Sequence, residues 1–383
     1  MLQRCSNCTL PVTWESISIG ESGVCNICSH WEDKEHSIDW EERKNKFLDI
    51  CNEAKEKAIK NNSNYDCIVP FSGGKDSTFT LLEMVRTYNM KCLVVSFDHG
   101  FFRPKTIDNR IRTFRKLGVD VIIMTPDWQM VKKMMVQALI RKGDFCWHCH
   151  AGVFAYPMQI ALRFDVPLVV WGEGGGEYEA YFDYKTIQQY DEHNFNRKMI
   201  LGIRAEDMAG FINEDLRSLS PFIYPPQKEI VEAGIVSIPL GKFRPWDAKK
   251  QSAIIMKELG WQEDIVETAY PGPTYEKVEC MLTGVRDYVK YLKRGFSRIT
   301  HMTTLDIRHG RMTHDEGMKL IEKYEGNKPQ SLKIFLDYVE LTEEEFNDIV
   351  LLHVIPPFDG IDLASLEWGE KLWDQDIWFN ERE

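Results

Sequence analysis

The sequence has no apolar run long enough to cross a bilayer, and no apolar stretch follows its first residues, Met1-Leu2-Gln3-Arg4-Cys5. The first absence excludes a transmembrane helix and the second a secretory signal, so a cytoplasmic location without membrane attachment is expected. Positive charge is scarce as well: 47 Lys plus Arg stand against 59 Asp plus Glu, a formal net charge of −12. Proteins that grip long nucleic acids usually present a basic domain, because phosphate neutralisation supplies most of the affinity. The acidic balance therefore disfavours nucleic acid and favours a small substrate. Internal repeats and low-complexity linkers are missing too. With 43% hydrophobic and 28% charged residues among 383, the chain reads as a globular protein of more than one folding unit.

Disulfides are not expected, because six of the ten cysteines fall in three Cys-x-x-Cys pairs: Cys5/Cys8, Cys25/Cys28 and Cys146/Cys149. In a cytosolic chain that spacing points to metal or redox chemistry. The first two pairs lie 16 residues apart, within the range of a zinc ribbon. Four thiolates suit tetrahedral Zn²⁺ and leave no open position, so Cys5, Cys8, Cys25 and Cys28 are expected to hold a structural metal. An iron–sulfur cluster is the weaker alternative. Cys146-Trp147-His148-Cys149-His150 admits two readings, a metal site or a metal-free pocket segment that offers Trp147 and His148 to a substrate. Cys51, Cys67, Cys92 and Cys280 stand alone and read as buried free thiols.

After an acidic and basic stretch over 31–60, read as one exposed helix, strands and helices alternate. Strands are expected at Cys67–Phe71, Cys92–Phe97, Val121–Met124, Pro167–Trp171 and Ile235–Pro239, with helices over Thr78–Tyr88, 106–117, 127–141 and 151–164. Such alternation implies an α/β fold with a doubly wound parallel sheet. Ligands of these sheets bind beyond the carboxyl ends of the strands. The segments 72–77, 98–100 and 172–176 all follow strands and so converge on one edge. Beyond about residue 265 the pattern turns mainly helical.

The first of these segments is Ser72-Gly73-Gly74-Lys75-Asp76-Ser77. Paired glycines let the chain turn tightly and bring backbone N–H groups to an anion, and the following helix points its positive end there. Ser72 and Ser77 add hydroxyls and Lys75 a charge. Asp76 is a poor neighbour for phosphate unless Mg²⁺ lies between them. The Walker pattern is absent, since it needs four residues between its first glycine and the Gly-Lys pair.

The loop resembles the PP-loop of the ATP pyrophosphatase superfamily, and Val95-Ser96-Phe97-Asp98-His99-Gly100 resembles the segment that borders the adenosine there. The resemblance implies ATP binding by Ser72 to Ser77 and by Asp98, His99 and Gly100, with cleavage of ATP to AMP and pyrophosphate. One branch is especially similar. Cys5-Ser6-Asn7-Cys8-Thr9-Leu10-Pro11-Val12-Thr13 and Gly23-Val24-Cys25-Asn26-Ile27-Cys28 resemble the ribbon of N-acetyl sugar amidotransferases from bacterial surface-polysaccharide and flagellin-glycan pathways. The order of ribbon, PP-loop, Cys-x-x-Cys-His segment and basic helical tail covers nearly the whole chain. It divides as 1–35 zinc ribbon, 36–262 PP-loop domain and 263–383 helical region for substrate binding or a subunit interface, which leaves a homo-oligomer open.

What this branch implies is conversion of an acetamido group to an acetamidino group on an acidic or nucleotide-linked sugar, through an O-adenylated intermediate. Ammonia would come from a separate glutaminase, and no fused glutaminase nucleophile is apparent in the sequence. Lys75 and Asp76 are the catalytic candidates of the loop, and Glu173 is a candidate to orient ammonia or take a proton. Arg103 and Lys105 are candidates to meet a sugar carboxylate, and Trp171 and Gly172 to line the substrate pocket. The rival reading is a PP-loop enzyme that thiolates or otherwise modifies tRNA. A non-catalytic nucleotide-binding adaptor is a second rival, disfavoured by the complete loop.

Overall fold

The structure, a computed structural model, describes residues 2–172 and 190–370. Glu173 and Gly174 to Gly176 lie outside the described residues. Five short strands make the central sheet: β1 (Cys67–Pro70), β2 (Cys92–Phe97), β3 (Asp120–Met124), β4 (Leu168–Trp171) and β5 (Val236–Pro239). All pair in parallel, in the order β3-β2-β1-β4-β5. The chain winds outward from β1 through β2 to β3, then crosses back to add β4 and β5 on the other side. The order therefore reverses between β1 and β4, which opens a crevice at their carboxyl ends.

Side-chain alternation distributes each strand between two cores. Ile68, Leu93, Val95 and Val169 face α5 (Trp128–Lys142) and α6 (Trp147–Arg163). Cys67, Val69, Val94, Leu168, Val170 and Ile238 face α2 (Trp40–Lys60), α3 (Lys75–Arg86) and α10 (Ala248–Leu259). α4 (Pro104–Leu117) links β2 to β3 and ends on Gly118 in the left-handed conformation. β3 is one of the two edge strands and leaves Ile123 exposed.

Two sequence expectations need correction. The stretch 31–60 is not one exposed helix. It holds the end of α1 (Asn26–Ser37) and the whole of α2, whose start is capped by the Asp39 carboxylate accepting from the Glu41 and Glu42 N–H groups. Moreover, α2 buries Phe47, Cys51, Ala54 and Ala58, a helical stripe that the surrounding Glu and Lys conceal. The helix expected from residue 151 begins at Trp147, so the third cysteine pair forms its first turn.

Between β4 and β5 lie α7 (Glu192–Asn194), α8 (Ala205–Ile212) and α9 (Gln227–Ala233). The C-terminal region opens with a small antiparallel pair, β6 (Asp264–Ile265) and β7 (Pro273–Thr274). It continues as α11 (Thr283–Arg294), α12 (Arg298–Arg308), α13 (His314–Tyr324), α14 (Ser331–Val339) and α15 (Glu343–Leu351). The N-terminal ribbon rests on this region. The Thr304 hydroxyl donates to the Cys8 carbonyl at 2.5 Å, the Thr13 hydroxyl to the Arg294 carbonyl at 2.6 Å, and the Trp14 and Phe296 rings meet at 5.1 Å. No helix among the described residues is long and apolar enough to cross a membrane.

Candidate active site and metal centre

The turn from β1 into α3 is shaped by two glycines with different duties. Gly73 has φ +93°, a conformation that side chains disfavour, and a Cβ there would lie 2.6 Å from Arg110 Cγ. Gly74 has an ordinary φ of −74° and caps α3, but a Cβ there would lie 1.8 Å from Glu279 Oε1. Only glycine admits these close approaches. The Ser77 hydroxyl lies 3.3 Å from the N–H groups of Ser72 and Gly73, and so braces the turn.

Lys75 is 2% exposed, and its ammonium bonds the carboxylates of Asp76 at 3.0 Å and Glu276 at 3.2 Å. Burial alone would raise the Glu276 carboxyl, but Lys75 first and then Arg298 hold it below the usual carboxylate range. Asp76 is fixed in turn by the Trp246 indole N–H, 3.2 Å away. The Trp261 indole N–H donates to the Gly73 carbonyl at 3.0 Å. Gly172, at the end of β4, would set a Cβ 3.1 Å from Asp76 Cβ.

The segment after β2 is held nearby. The Asp98 carboxylate accepts from the Gly100 N–H at 2.8 Å, and Trp128 closes over Gly100, where any Cβ would meet its ring. The His99 ring packs on Phe102 at 4.2 Å. Arg110 joins the two segments: its stem lies on Gly73, and one guanidinium nitrogen donates to Ser96 Oγ at 2.8 Å. Another, Nη1, is buried without a hydrogen-bond partner among the described residues. Burial pushes this guanidinium down to about 10, with Asp98 opposing. A buried, unsatisfied cationic donor beside a phosphate-type turn fits an absent anion.

The structure thus brings Ser72 to Ser77, Asp98 to Gly100 and Gly172 to one edge of the sheet. The other sequence candidates are placed differently. Arg103 turns away to Asp264 at 3.0 Å and the Ile265 carbonyl at 2.5 Å, and Lys105 shares Asp264 at 3.3 Å. Trp147 donates to the Ile203 carbonyl within the core. Trp171 donates to Ser237 Oγ and stacks on Phe154. His148 is buried with Nε2 3.4 Å from the His99 carbonyl, and burial holds its imidazole down at about 4.

Sequence reasoning missed Arg110, Glu276, Glu279, Trp246 and Trp261, which lie far along the chain from the loop they touch. Cys280 also differs from its expected role as an isolated buried thiol. It is half-buried, and burial followed by the nearby Cys149 raises its thiol to about 12.

In the ribbon, the sulfur atoms of Cys5, Cys8, Cys25 and Cys28 are buried and all lie within 4.8 Å of one another. Among the described residues, this is the one group of three or more potential ligands close enough to share an ion. Backbone N–H groups of Asn7 and Cys25 point at Cys5 Sγ, and the Arg308 guanidinium lies 3.3 Å from Cys8 Sγ. Donors aimed at sulfur stabilise thiolates, so these residues fit a tetrahedral metal.

Residues 268–356 match the family model described as the C-terminal domain of LPS biosynthesis protein WbpG-like proteins. The match places a WbpG-like domain in the C-terminal region of the chain. The matched segment contains both Glu276 and Glu279, the two carboxylates that reach the 72–77 turn. An uncharacterised protein of Methanocaldococcus jannaschii is 22% identical over 283 residues, which cover 72% of this chain and 81% of that one. Among solved structures, the U34-tRNA thiolase NcsA from Methanococcus maripaludis, with its 4Fe–4S cluster, overlaps 96% of this chain and 94% of its own at 11% identity and a TM-score of 0.31.

Proposed function

We propose that this chain is an ATP-dependent sugar-modifying enzyme of the PP-loop type, and specifically an amidotransferase that converts an acetamido group to an acetamidino group. The observation that carries the reading is the meeting of two parts. The WbpG-like segment supplies Glu276 and Glu279 directly against the Ser72–Ser77 turn, which supports a reading in which a domain associated with lipopolysaccharide biosynthesis and a phosphate-binding turn share one site.

In this reading the triphosphate of ATP lies on the N–H groups of Gly73 and Gly74, at the positive end of α3, with Lys75 and the unsatisfied Arg110 Nη1 as cationic donors. Asp76 and Glu279 are the residues that would hold Mg²⁺, which when bound would screen these carboxylates from the phosphates. The acetamido oxygen attacks the α-phosphorus, the bond to pyrophosphate breaks, and an O-adenylated imidate forms. Ammonia adds to the imidate carbon and the carbon–oxygen bond breaks. AMP leaves with the former acetamido oxygen, and the amidine remains. Lys75 and Arg110 take up the charge that develops on pyrophosphate. An amide oxygen is a weak nucleophile, so positioning supplies much of the rate. Glu173 is the candidate to orient ammonia, which a separate glutaminase delivers. Zinc in the four-cysteine ribbon would act structurally.

The test is mass spectrometry of full-length protein with ATP, Mg²⁺, ammonium and a panel of diacetamido nucleotide sugars. The expected product has oxygen replaced by NH, with stoichiometric AMP. Heavy oxygen placed in the acetamido carbonyl should appear in AMP. AMP formation with bulk tRNA, and none with any sugar, would overturn the reading in favour of tRNA modification.

A further inference from the structure

Three cations of the C-terminal region, Lys277, Arg286 and Lys290, gather around His301. Arg286 and Lys290 stand four residues apart on α11 and so share a face of that helix. Lys277 lies on the preceding turn, between Glu276 on Lys75 and Glu279 on Gly74. Its φ of 50° is in the left-handed region, which a lysine seldom adopts and which marks a position fixed by its surroundings.

These cations are unlike their neighbours. Arg103 is committed to Asp264, and Arg298 grips Asp287 through two hydrogen bonds of 2.9 and 3.1 Å. Among the described residues, the Arg286 guanidinium and the Lys277 ammonium have no hydrogen bond or ion pair. Lys290 donates to His301 Nε2 at 3.0 Å, a neutral partner. All three are half-buried, neither sealed in the core nor lying free on the surface. Burial, with Arg286 and Arg298 adding like charge, pushes the Lys290 ammonium down to about 8. Across from them, the first turn of α6 supplies Cys149 and His150, and Asp144 precedes it. Burial would raise the Asp144 carboxyl, yet Arg286 and His150 keep it low. Asp287 also faces Arg286 and Lys290 and, with Asp144, raises the Arg286 guanidinium, but Asp287 is already held by two hydrogen bonds from Arg298. Clustered, recessed like charges are costly unless an anion joins them.

We infer that Arg286, Lys277 and Lys290 form the oxyanion subsite of the sugar substrate, holding its carboxylate or diphosphate while the acetamido group reaches the phosphate loop. This rests on the amidotransferase reading and deepens it. The sequence candidates for this duty, Arg103 and Lys105, are both engaged by Asp264. A guanidinium without a partner offers the planar fork that carboxylates and phosphates accept.

The experiment compares three probes on the full chain: a nucleoside-diphosphate diacetamido uronate, its neutral counterpart with a hydroxymethyl group in place of the carboxylate, and the free uronate without nucleotide. Arg286→Ala should raise KM for the charged nucleotide sugar by about 10- to 100-fold, the range of a lost charge-assisted hydrogen bond, and leave KM for ATP unchanged. Arg286→Lys should recover only part of that. Loss of the preference for uronate over the neutral probe assigns the subsite to the carboxylate. Loss of the preference for nucleotide-linked over free sugar assigns it to the diphosphate. If Arg286→Ala and Lys277→Ala turn over the probes with both preferences intact, the subsite is wrong and the amidotransferase reading stands. If the wild type converts no probe, that reading falls, and calorimetric binding of the same probes decides the subsite alone. Charge-dependent binding lost in Arg286→Ala upholds it, and its absence overturns it.

Discussion

Replacing Gly74 by alanine tests whether the C-terminal region lies on the phosphate loop. The backbone tolerates the change, since φ at Gly74 is −74°. The added methyl, however, would lie 1.8 Å from Glu279 Oε1, 2.4 Å from its Cδ and 2.8 Å from its Cγ, so the Glu279 side chain must turn away. Overpacking of this kind costs about 1–3 kcal/mol. Glu279→Ala empties that space, and Gly74→Ala should then cost only about 0.5 kcal/mol, the scale of losing a glycine cap. The double-mutant cycle should therefore show about 1–2 kcal/mol of coupling in urea unfolding of the full chain. Gly73→Ala is the control. Its φ of +93° and the Arg110 stem penalise any side chain, and Glu279→Ala should not relieve it. ATP binding supplies a second readout: Gly74→Ala should weaken it about tenfold in either background, because the methyl crowds the N–H groups that face phosphate. Purely additive stabilities for Gly74→Ala and Glu279→Ala would refute the placement of Glu279 over the loop.

Three further outcomes are expected. Arg110→Met keeps the stem on Gly73 but removes the unsatisfied donor, and should lower AMP formation about 100-fold with little loss of stability, as measured by single-turnover assay. The full chain should contain about one metal ion by elemental analysis, consistent with one tetrahedral site, and Cys8→Ser should release it and loosen the ribbon from α12, read as faster proteolysis near residue 30. Below neutrality, stability should fall as pH drops from about 6.5 to about 4. His148 is held down at about 4 in the folded chain, so the unfolded chain takes the proton first, at a cost of up to about 3 kcal/mol for this group. His148→Gln should flatten that slope in a urea-unfolding series across pH.

The parts of the fold legible in the sequence are those set by local chemistry. Each strand of the sheet is a short apolar run, and the glycine turn after β1 shows itself by composition. The stripe of α2 was hidden because its exposed faces are saturated with Glu and Lys, which read as a solvated helix. Arg103 stands at the start of a helix beside the expected site and so appeared free to meet a substrate, but its partner Asp264 lies 161 residues further on, on a two-residue strand. Arg110 points the other way. As one arginine among several on α4, it gave no sequence signal, and only the packing of α4 against Gly73 reveals its unsatisfied nitrogen.

The long-range contacts also make the helical region part of the proposed site rather than an appendage. A phosphate turn open to water would leave Lys75 solvated and its charge screened. Here the turn is covered by residues 276–279, and Lys75 is buried between two carboxylates. That arrangement sets the Lys75 amine against two carboxylates in a low-dielectric place, where, in the proposed function, its action on a departing pyrophosphate would be strongest. It also sets a condition on binding: Glu279 has to move or take a cation before phosphate can approach Gly74. If ATP binds as proposed, nucleotide entry and the position of the 276–279 segment are coupled. Because that segment leads directly into α11, the same movement reaches Arg286 and Lys290. ATP and an anionic substrate should then bind with positive cooperativity. Equal sugar affinity with and without a non-hydrolysable ATP analogue would break this argument.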